Sequence, residues 1–82
     1  MYNVLVCDDD KAIVDSIEIY LKAQGYGVVT AFDGSQAVRK MQENKIHCII
    51  MDIMMPVMDG IKATVEIRGQ SNVPIIFLSA KS

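Results

Sequence analysis

Acidic residues follow directly on two apolar runs of this chain. Residues 4–7 (VLVC) lead into Asp8, Asp9 and Asp10, and residues 49–51 (IIM) lead into Asp52. Continuous apolar runs of this kind are typical of strands buried on both faces of a parallel sheet. The carboxyl ends of such strands meet at one edge, where ligands bind. The sequence therefore predicts that carboxylates from two strands gather at one edge of a sheet.

Such a cluster favours a divalent cation. Unit charges about 4–5 Å apart repel by roughly 3–4 kcal/mol per pair at an effective dielectric constant near 20. Without a cation, we expect at least one of Asp8, Asp9 and Asp52 to keep its proton. Mg²⁺ fits best, since it takes one or two carboxylates and keeps several waters. Ser79 follows a further apolar run, residues 75–78, and would bring a hydroxyl to the same edge.

Not every aspartate in this pattern has to do chemistry. Aspartates that follow strands often cap the next helix, and we expect Asp10 to do so. Asp52 differs, because the apolar residues after it end in Pro56, which disfavours helical geometry at Met55. We therefore expect no capping role for the carboxylate of Asp52, which is the stronger candidate for a reactive group.

The elements that must position these residues alternate along the chain. Strands are predicted at residues 3–7, 27–31, 46–51 and 75–78, with a helix in each of the three intervals. The order βαβαβαβ predicts an α/β fold, a parallel sheet with right-handed crossovers.

Apolar spacing and capping residues suggest how each helix begins and which face is buried. In the first helix we expect Ile13, Ile17, Tyr20 and Leu21 to form the buried face, and in the second Ala37, Val38 and Met41. Ser35 is the expected cap of the second helix. In the third helix, which we expect to begin at the Asp59-Gly60 pair, Ile61, Val65 and Ile67 are the expected buried positions.

Composition limits the class of protein. The 82 residues are 51% hydrophobic and 22% charged, which suits one folded domain over residues 1–82. A net charge of −2 gives no general attraction for nucleic acid. We find no secretory signal and no apolar run of about 20 residues, so we expect a cytoplasmic protein without membrane contact.

Cys7 and Cys48 are expected to be buried free thiols, and the single His47 has no partner at ligand spacing.

Three segments carry a resemblance to a known family. Residues 4–10 (VLVCDDD), 51–60 (MDIMMPVMDG) and 74–81 (PIIFLSAK) resemble the receiver domains of bacterial two-component response regulators. Among these, the chain is most similar to regulators that carry a winged-helix DNA-binding output domain. The resemblance implies a flavodoxin-like (CheY-like) sheet with strand order 2-1-3-4 over the four predicted strands.

The resemblance also implies a role for each site residue. Asp52 would accept a phosphoryl group from a phosphohistidine on a sensor histidine kinase. Asp9 would bind Mg²⁺ directly, Asp8 would hold it largely through water, and Met54 would supply a backbone carbonyl. Ser79 would be the hydroxyl that contacts the phosphoryl group during switching. The implied output is transcription regulation through a domain outside these residues.

The chain departs from the family pattern after its fourth strand. A whole receiver has five strands, so we expect a truncated receiver that lacks α4-β5-α5 and the family's lysine after the fifth strand. We expect this chain to bind Mg²⁺ but to be phosphorylated slowly or not at all. We also expect an exposed fourth-strand edge and first-helix face to favour a homodimer or higher oligomer.

The sequence argues against two other interpretations and leaves a third open. A phosphatase of the haloacid-dehalogenase type needs a second aspartate two residues after the first, where this chain has Met54. A nucleotide-binding protein needs a Gly-rich phosphate loop, where this chain has residues 7–10 (CDDD). The third alternative is a fragment without phosphotransfer activity that acts only as a folding or oligomerisation unit, possibly with exchanged elements. A phosphorylation assay separates that alternative from the receiver interpretation.

Overall fold

The structure is a computed structural model, and it describes residues 1–53 and 60–78. The elements in chain order are β1 (Asn3–Cys7), α1 (Lys11–Ala23), β2 (Gly27–Ala31), α2 (Gly34–Glu43), β3 (Cys48–Asp52), α3 (Gly60–Arg68) and β4 (Ile75–Leu78). The predicted order βαβαβαβ is confirmed. The third strand begins two residues later than predicted, and Ile46 before it is buried at 6% exposure.

The four strands form one parallel sheet in the order β2-β1-β3-β4. Cys7 at the end of β1 lies opposite Ala31 of β2 on one side and Met51 of β3 on the other. Asp52 at the end of β3 lies opposite Leu78 of β4. The register therefore aligns the carboxyl ends of all four strands. The predicted parallel α/β sheet and its strand order 2-1-3-4 are confirmed.

Two apolar clusters lie on opposite faces of the sheet. The larger joins alternate residues of the strands to α2 and α3, and its members include Leu5, Cys7, Ile49, Met51, Ala37, Ala63 and Ile67. The smaller packs the other strand face under α1 and centres on Val4, Val6 and Val14. Full burial of one such aliphatic side chain contributes about 1.5–3 kcal/mol. This packing fixes the strand ends that carry the acidic residues.

Helix α1 begins at the predicted cap. The Asp10 carboxylate accepts hydrogen bonds from the backbone N–H groups of Ala12 (2.9 Å) and Ile13 (3.4 Å), which confirms Asp10 as a capping residue. The helix is followed by Gly25, whose φ of 92° lies in the left-handed region where glycine carries no steric cost.

The inward face of α1 differs in part from the prediction. Val14 is fully buried and Ile17 and Leu21 pack beside it, whereas Ile13 and Tyr20 are 41% and 63% exposed. At 3.6 residues per turn, Ile13 and Tyr20 lie roughly 80–120° around the helix from Val14 and Leu21. They lie beside the buried stripe, and the expectation that they belong to the buried face was wrong.

Helix α2 is capped by Asp33, so the expectation of a Ser35 cap was wrong. The Asp33 carboxylate accepts the N–H of Gln36 at 2.7 Å, and the Gln36 side-chain carbonyl accepts the N–H of Phe32 at 3.0 Å. This reciprocal pair satisfies two backbone donors at the helix start, so it outcompetes a hydroxyl two residues later. Ala37 is buried and Val38 and Met41 pack against the core as predicted.

Helix α3 turns a different face inward from the one predicted. Gly60, Ala63 and Ile67 are buried, whereas Ile61 and Val65 are 61% and 70% exposed. The two sets lie on nearly opposite sides of the helix, because a residue advances about 100° around the axis. Ile67 was predicted correctly, and Ile61 and Val65 were not. The small residues Gly60 and Ala63 let the helix backbone lie close to the sheet.

The two cysteines are free thiols, as predicted. Cys7 is buried in the larger cluster, whereas Cys48 is half-buried beside the smaller cluster on the opposite sheet face. Cys48 pairs with Val4, three residues before Cys7, and this offset spans roughly 10 Å of strand. A disulfide is therefore excluded by geometry. Among the described residues, no helix has the length and apolar character needed to cross a bilayer.

Candidate metal centre

Three carboxylates converge at the carboxyl end of the sheet. Asp8, Asp9 and Asp52 each offer an oxygen, and these three oxygens lie within 4.8 Å of one another. Asp8 and Asp52 are 3% and 2% exposed, whereas Asp9 is open to solvent. The predicted convergence of these acids is confirmed. Two of the three charges face a low-dielectric interior, and the third faces water.

The backbone around Asp8 fixes the first two acids. The Asp8 N–H donates to the carbonyl of Ala31 at 3.2 Å, which extends the β1–β2 pairing by one residue. One Asp8 carboxylate oxygen accepts the N–H of Asp10 at 2.9 Å. This short side-chain turn holds the segment at the sheet edge and places Asp9 between a buried acid and a helix cap. The side chain of Asp8 is therefore ordered by the same residues that begin α1.

Asp52 is held by its strand. It is the last residue of β3 and lies between β1 and β4 in the sheet. The N–H of the next residue, Ile53, donates to the carbonyl of Leu78 at 3.4 Å. The carbonyl of Ile53 accepts the N–H of Gly60 at 2.8 Å. The first residue of α3 thus docks on the chain immediately after Asp52.

Burial and neighbouring charges raise the pKa of Asp8. Burial raises the pKa of this carboxyl above its ordinary value of 3.8, and the charges of Asp52 and Asp9 raise it further. The hydrogen bond from the Asp10 N–H acts in the opposite direction. The net shift is upward, with burial as its largest cause and the neighbouring carboxylates adding to it.

Cys7 lies beside these acids but is chemically quiet. Burial raises the pKa of its thiol to about 12, and the nearby Asp33, Asp8, Asp52 and Asp9 charges add to the effect. The thiol donates a hydrogen bond to the Asp33 carbonyl at 3.3 Å. Since the thiolate is the form that attacks or binds a metal, Cys7 is a packing residue.

The donor set fits Mg²⁺. All three donors are carboxylate oxygens, the ligand type that this hard cation prefers. Two ligands on opposite sides of Mg²⁺, each at 2.0–2.1 Å, are about 4.2 Å apart. The observed limit of 4.8 Å therefore requires only a small inward movement, or a bridging water at one acid. The charges of Asp52 and Asp9 contribute to the raised pKa of Asp8, and a cation at this edge would offset that contribution.

The predicted site residues divide into three groups. Asp8, Asp9 and Asp52 are brought together by the fold, and Asp10 is the capping residue that it was expected to be. Met54 and Ser79 lie outside the described residues. The sequence reasoning missed one residue at the site, Gly60, which it had assigned only to the start of a helix. The approach of its backbone to Asp52 is a tertiary contact with no spacing signal.

Comparisons with known proteins agree with this geometry. The family model described as the response regulator receiver domain matches residues 4–82. The transcriptional regulatory protein PrrA of Mycobacterium tuberculosis is 44% identical over 81 residues, which are 98% of this chain and 35% of that protein. The chain thus spans about a third of the length of that relative.

Solved structures show the same fold. The Vibrio cholerae chemotaxis protein CheY4 matches with a TM-score of 0.94 and 36% identity, covering 100% of this chain and 71% of that one. The response regulator TrrA of Thermotoga maritima, solved in complex with Mg²⁺-BeF, matches with a TM-score of 0.91 and 34% identity, covering 100% and 72%. Sequence, fold and an acidic cluster at the carboxyl edge agree: this chain belongs to the receiver domain family of two-component response regulators.

Proposed function

We propose that this chain is a phosphoryl-accepting module in which Asp52 is the nucleophile and Asp8 and Asp9 hold Mg²⁺ beside it. The convergence of the three carboxylate oxygens within 4.8 Å carries the proposal. A structural relative, TrrA, was solved in complex with Mg²⁺-BeF, which supports the choice of metal. The charges of Asp52 and Asp9 add to the upward shift of the Asp8 pKa, and a cation at this edge would offset them.

The proposed reaction is a transfer to the Asp52 carboxylate. One carboxylate oxygen forms a bond to phosphorus while the bond from phosphorus to the donor breaks, and the leaving group takes the bonding electron pair. With a phosphohistidine donor, the broken bond is P–N and the departing imidazole ends as a neutral ring after gaining a proton. The product is an acyl phosphate. Bound Mg²⁺ supplies charge neutralisation for the phosphoryl oxygens.

The other residues would have separate roles. Asp9 is open to solvent and would bind the metal directly, whereas the buried Asp8, already hydrogen-bonded to the Asp10 N–H, would act largely through water. Met54 would add its backbone carbonyl as a metal ligand, and the Ser79 hydroxyl would contact the phosphoryl group. These two roles rest on the family resemblance alone.

The proposed donor is a sensor histidine kinase, and the proposed output is transcription regulation. PrrA, which is named as a transcriptional regulatory protein, supports the output. The region of PrrA outside the match would correspond to the output domain, so we propose that the described residues do not themselves bind nucleic acid. A cytoplasmic location is part of the same proposal.

Incubation with a small acyl phosphate and Mg²⁺, followed by intact-mass measurement, tests the central step. We expect a slow mass gain of one phosphoryl group that requires Mg²⁺, is absent from Asp52→Asn and is retained in the control Asp15→Asn. Asp15 lies on α1, where it pairs with Lys11 at 3.1 Å. No gain after long incubation, with the chain folded and Mg²⁺ bound, would favour the alternative of a folding or oligomerisation unit without phosphotransfer.

We also propose self-association, through the β4 edge or the α1 face. Among the described strands, β4 is an edge, and its Ile76 and Phe77 are 54% and 42% exposed. On α1, Ile19 and Tyr20 are 70% and 63% exposed. Exposed apolar edge strands tend to pair with another chain.

Light scattering on a sizing column tests the association. We expect a mass above that of one chain, reduced to one chain by Ile76→Lys if the strand edge is used or by Tyr20→Lys if the helix face is used. Ile61→Lys on α3, also at an exposed position, is the control and should change nothing. A single-chain mass for the unmodified protein at high concentration would contradict the proposal.

A further inference from the structure

The start of α3 packs against the end of β3, and Gly60 lies at this contact with no room for a side chain. Gly60 is the first residue of α3 and is buried. A methyl group built on its Cα would lie 2.9 Å from the Cα of Ile53 and 3.1 Å from the carbonyl carbon of Asp52. It would lie closer still to the Asp52 carbonyl oxygen. Contacts this short to backbone atoms cannot be relieved by a side-chain rotation.

Position 60 requires glycine because there is no room for a side chain, and not because of the backbone conformation. The positive-φ residue of the described chain is Gly25, so Gly60 has a φ that alanine could adopt. Alanine is also the better helix former, by about four- to fivefold in a helix interior. Local preference therefore favours alanine at this position, and only the approach to the end of β3 opposes it.

One backbone hydrogen bond and one hydroxyl–sulfur contact join the start of α3 to the strand end. The Gly60 N–H donates to the Ile53 carbonyl at 2.8 Å. The Thr64 hydroxyl donates to the Gly60 carbonyl at 2.7 Å and also lies 3.9 Å from the Met51 sulfur. Residues on both sides of Asp52 in the chain, Met51 and Ile53, thus contact the first turn of α3. The helix cannot shift without moving the strand end.

We infer that Gly60 is a positioning residue for Asp52: its missing side chain lets α3 clamp the strand end so that the Asp52 carboxylate meets Asp8 and Asp9. This inference rests on the proposed function of Asp52. A methyl group at position 60 would push on the Asp52 peptide and tilt its carboxylate away from the other two acids. The acids are already at the outer limit of a shared Mg²⁺ site, so a displacement approaching 1 Å is costly.

The test compares Mg²⁺ affinity in Gly60→Ala and Gly25→Ala, measured by calorimetry with Mg²⁺ alone. We expect Gly60→Ala to weaken Mg²⁺ binding at least tenfold, the effect of disturbing a residue that orients a metal ligand. Phosphorylation by a small acyl phosphate should slow by about 10²-fold. Gly25→Ala is the matched control, since its cost arises from φ alone and a methyl group there meets no atom within 4 Å. It should weaken folding about tenfold and leave Mg²⁺ affinity unchanged.

The outcomes separate this inference from the proposed function. If the unmodified chain does not bind Mg²⁺, the proposed function fails. If it binds and folded Gly60→Ala binds equally well, only the positioning role of Gly60 is overturned. Should Gly60→Ala not fold, Thr64→Val carries the test, because it keeps the side-chain shape and removes the hydroxyl contact with the Met51 sulfur. We expect a two- to tenfold loss of Mg²⁺ affinity, and an unchanged affinity overturns the inference.

Discussion

Removal of one charge from the acidic cluster should stabilise the metal-free protein. Two charges 4.8 Å apart, the outer limit for the oxygens of Asp8, Asp9 and Asp52, repel by about 3.5 kcal/mol at an effective dielectric constant of 20. Asp9 is exposed, so its share is reduced by solvent and salt. Asp8→Asn keeps an oxygen that can accept the Asp10 N–H, although the bond loses its charge. We expect a net gain of about 1–2 kcal/mol in the free energy of unfolding at neutral pH.

Thermal unfolding in a chelator at low ionic strength measures this gain. For a domain of this size, 1–2 kcal/mol corresponds to a rise in Tm of about 5–15 °C. Asp15→Asn removes the same charge from an exposed α1 position and should change stability by less than about 0.5 kcal/mol. A Tm for Asp8→Asn at or below that of the unmodified chain, with the control behaving as expected, would show that the charge of Asp8 does not destabilise the metal-free fold.

The pH dependence of stability tests the cost of the Asp8 charge in a second way. Because the pKa of Asp8 is raised in the folded state, its ionised form costs free energy in the fold, and this cost is fully present above the raised pKa. The cost disappears as pH falls through the raised pKa toward the ordinary value of 3.8. In this range Asp8 should make the metal-free chain more stable on acidification. Asp8→Asn should lack this contribution, and Mg²⁺ should suppress it in the unmodified chain.

Three further predictions concern the fold around the site. Ile67→Ala should cost about 2–5 kcal/mol in unfolding free energy and Val65→Ala less than about 1, since the first is 1% exposed and the second 70%; equal losses in urea unfolding would contradict the observed orientation of α3. Asp33→Ala should cost about 1 kcal/mol in the same assay, and Ser35→Ala should be near neutral; the reverse order would restore Ser35 as the cap. Cys7, with a pKa of about 12 and no exposure, should resist alkylation in the folded chain and react fully in denaturant; peptide mapping that finds it modified under native conditions would contradict its burial.

The sequence was sufficient to predict the parts of the fold that depend on period and position. Continuous apolar runs separated by helical spacing give the order βαβαβαβ, and parallel connections then bring strand ends to one edge. The convergence of Asp8, Asp9 and Asp52 follows from that rule alone. Asp10 as a cap also follows, because the residue before a helix has few other partners for its carboxylate.

Predictions that depended on the choice between competing residues were less successful. Ile61 and Val65 are larger than Gly60 and Ala63, yet α3 buries the small residues because its backbone packs closely on the sheet. Apolar residues occur on both faces of α3, so their spacing does not decide which face is buried. The packing of α3 on the sheet decides it. Asp33 displaced Ser35 as a cap because the Gln36 side chain completes a reciprocal pair, which a search for single capping residues does not find.

Calorimetric titration with Mg²⁺ shows whether the three carboxylates form one metal site. We expect one Mg²⁺ per chain, an affinity at least tenfold weaker in both Asp9→Asn and Asp52→Asn, and an unchanged affinity in Asp15→Asn. Saturable binding that both site variants retain at full strength, or no binding by the folded unmodified chain, would contradict a shared metal centre at the carboxyl edge of the sheet.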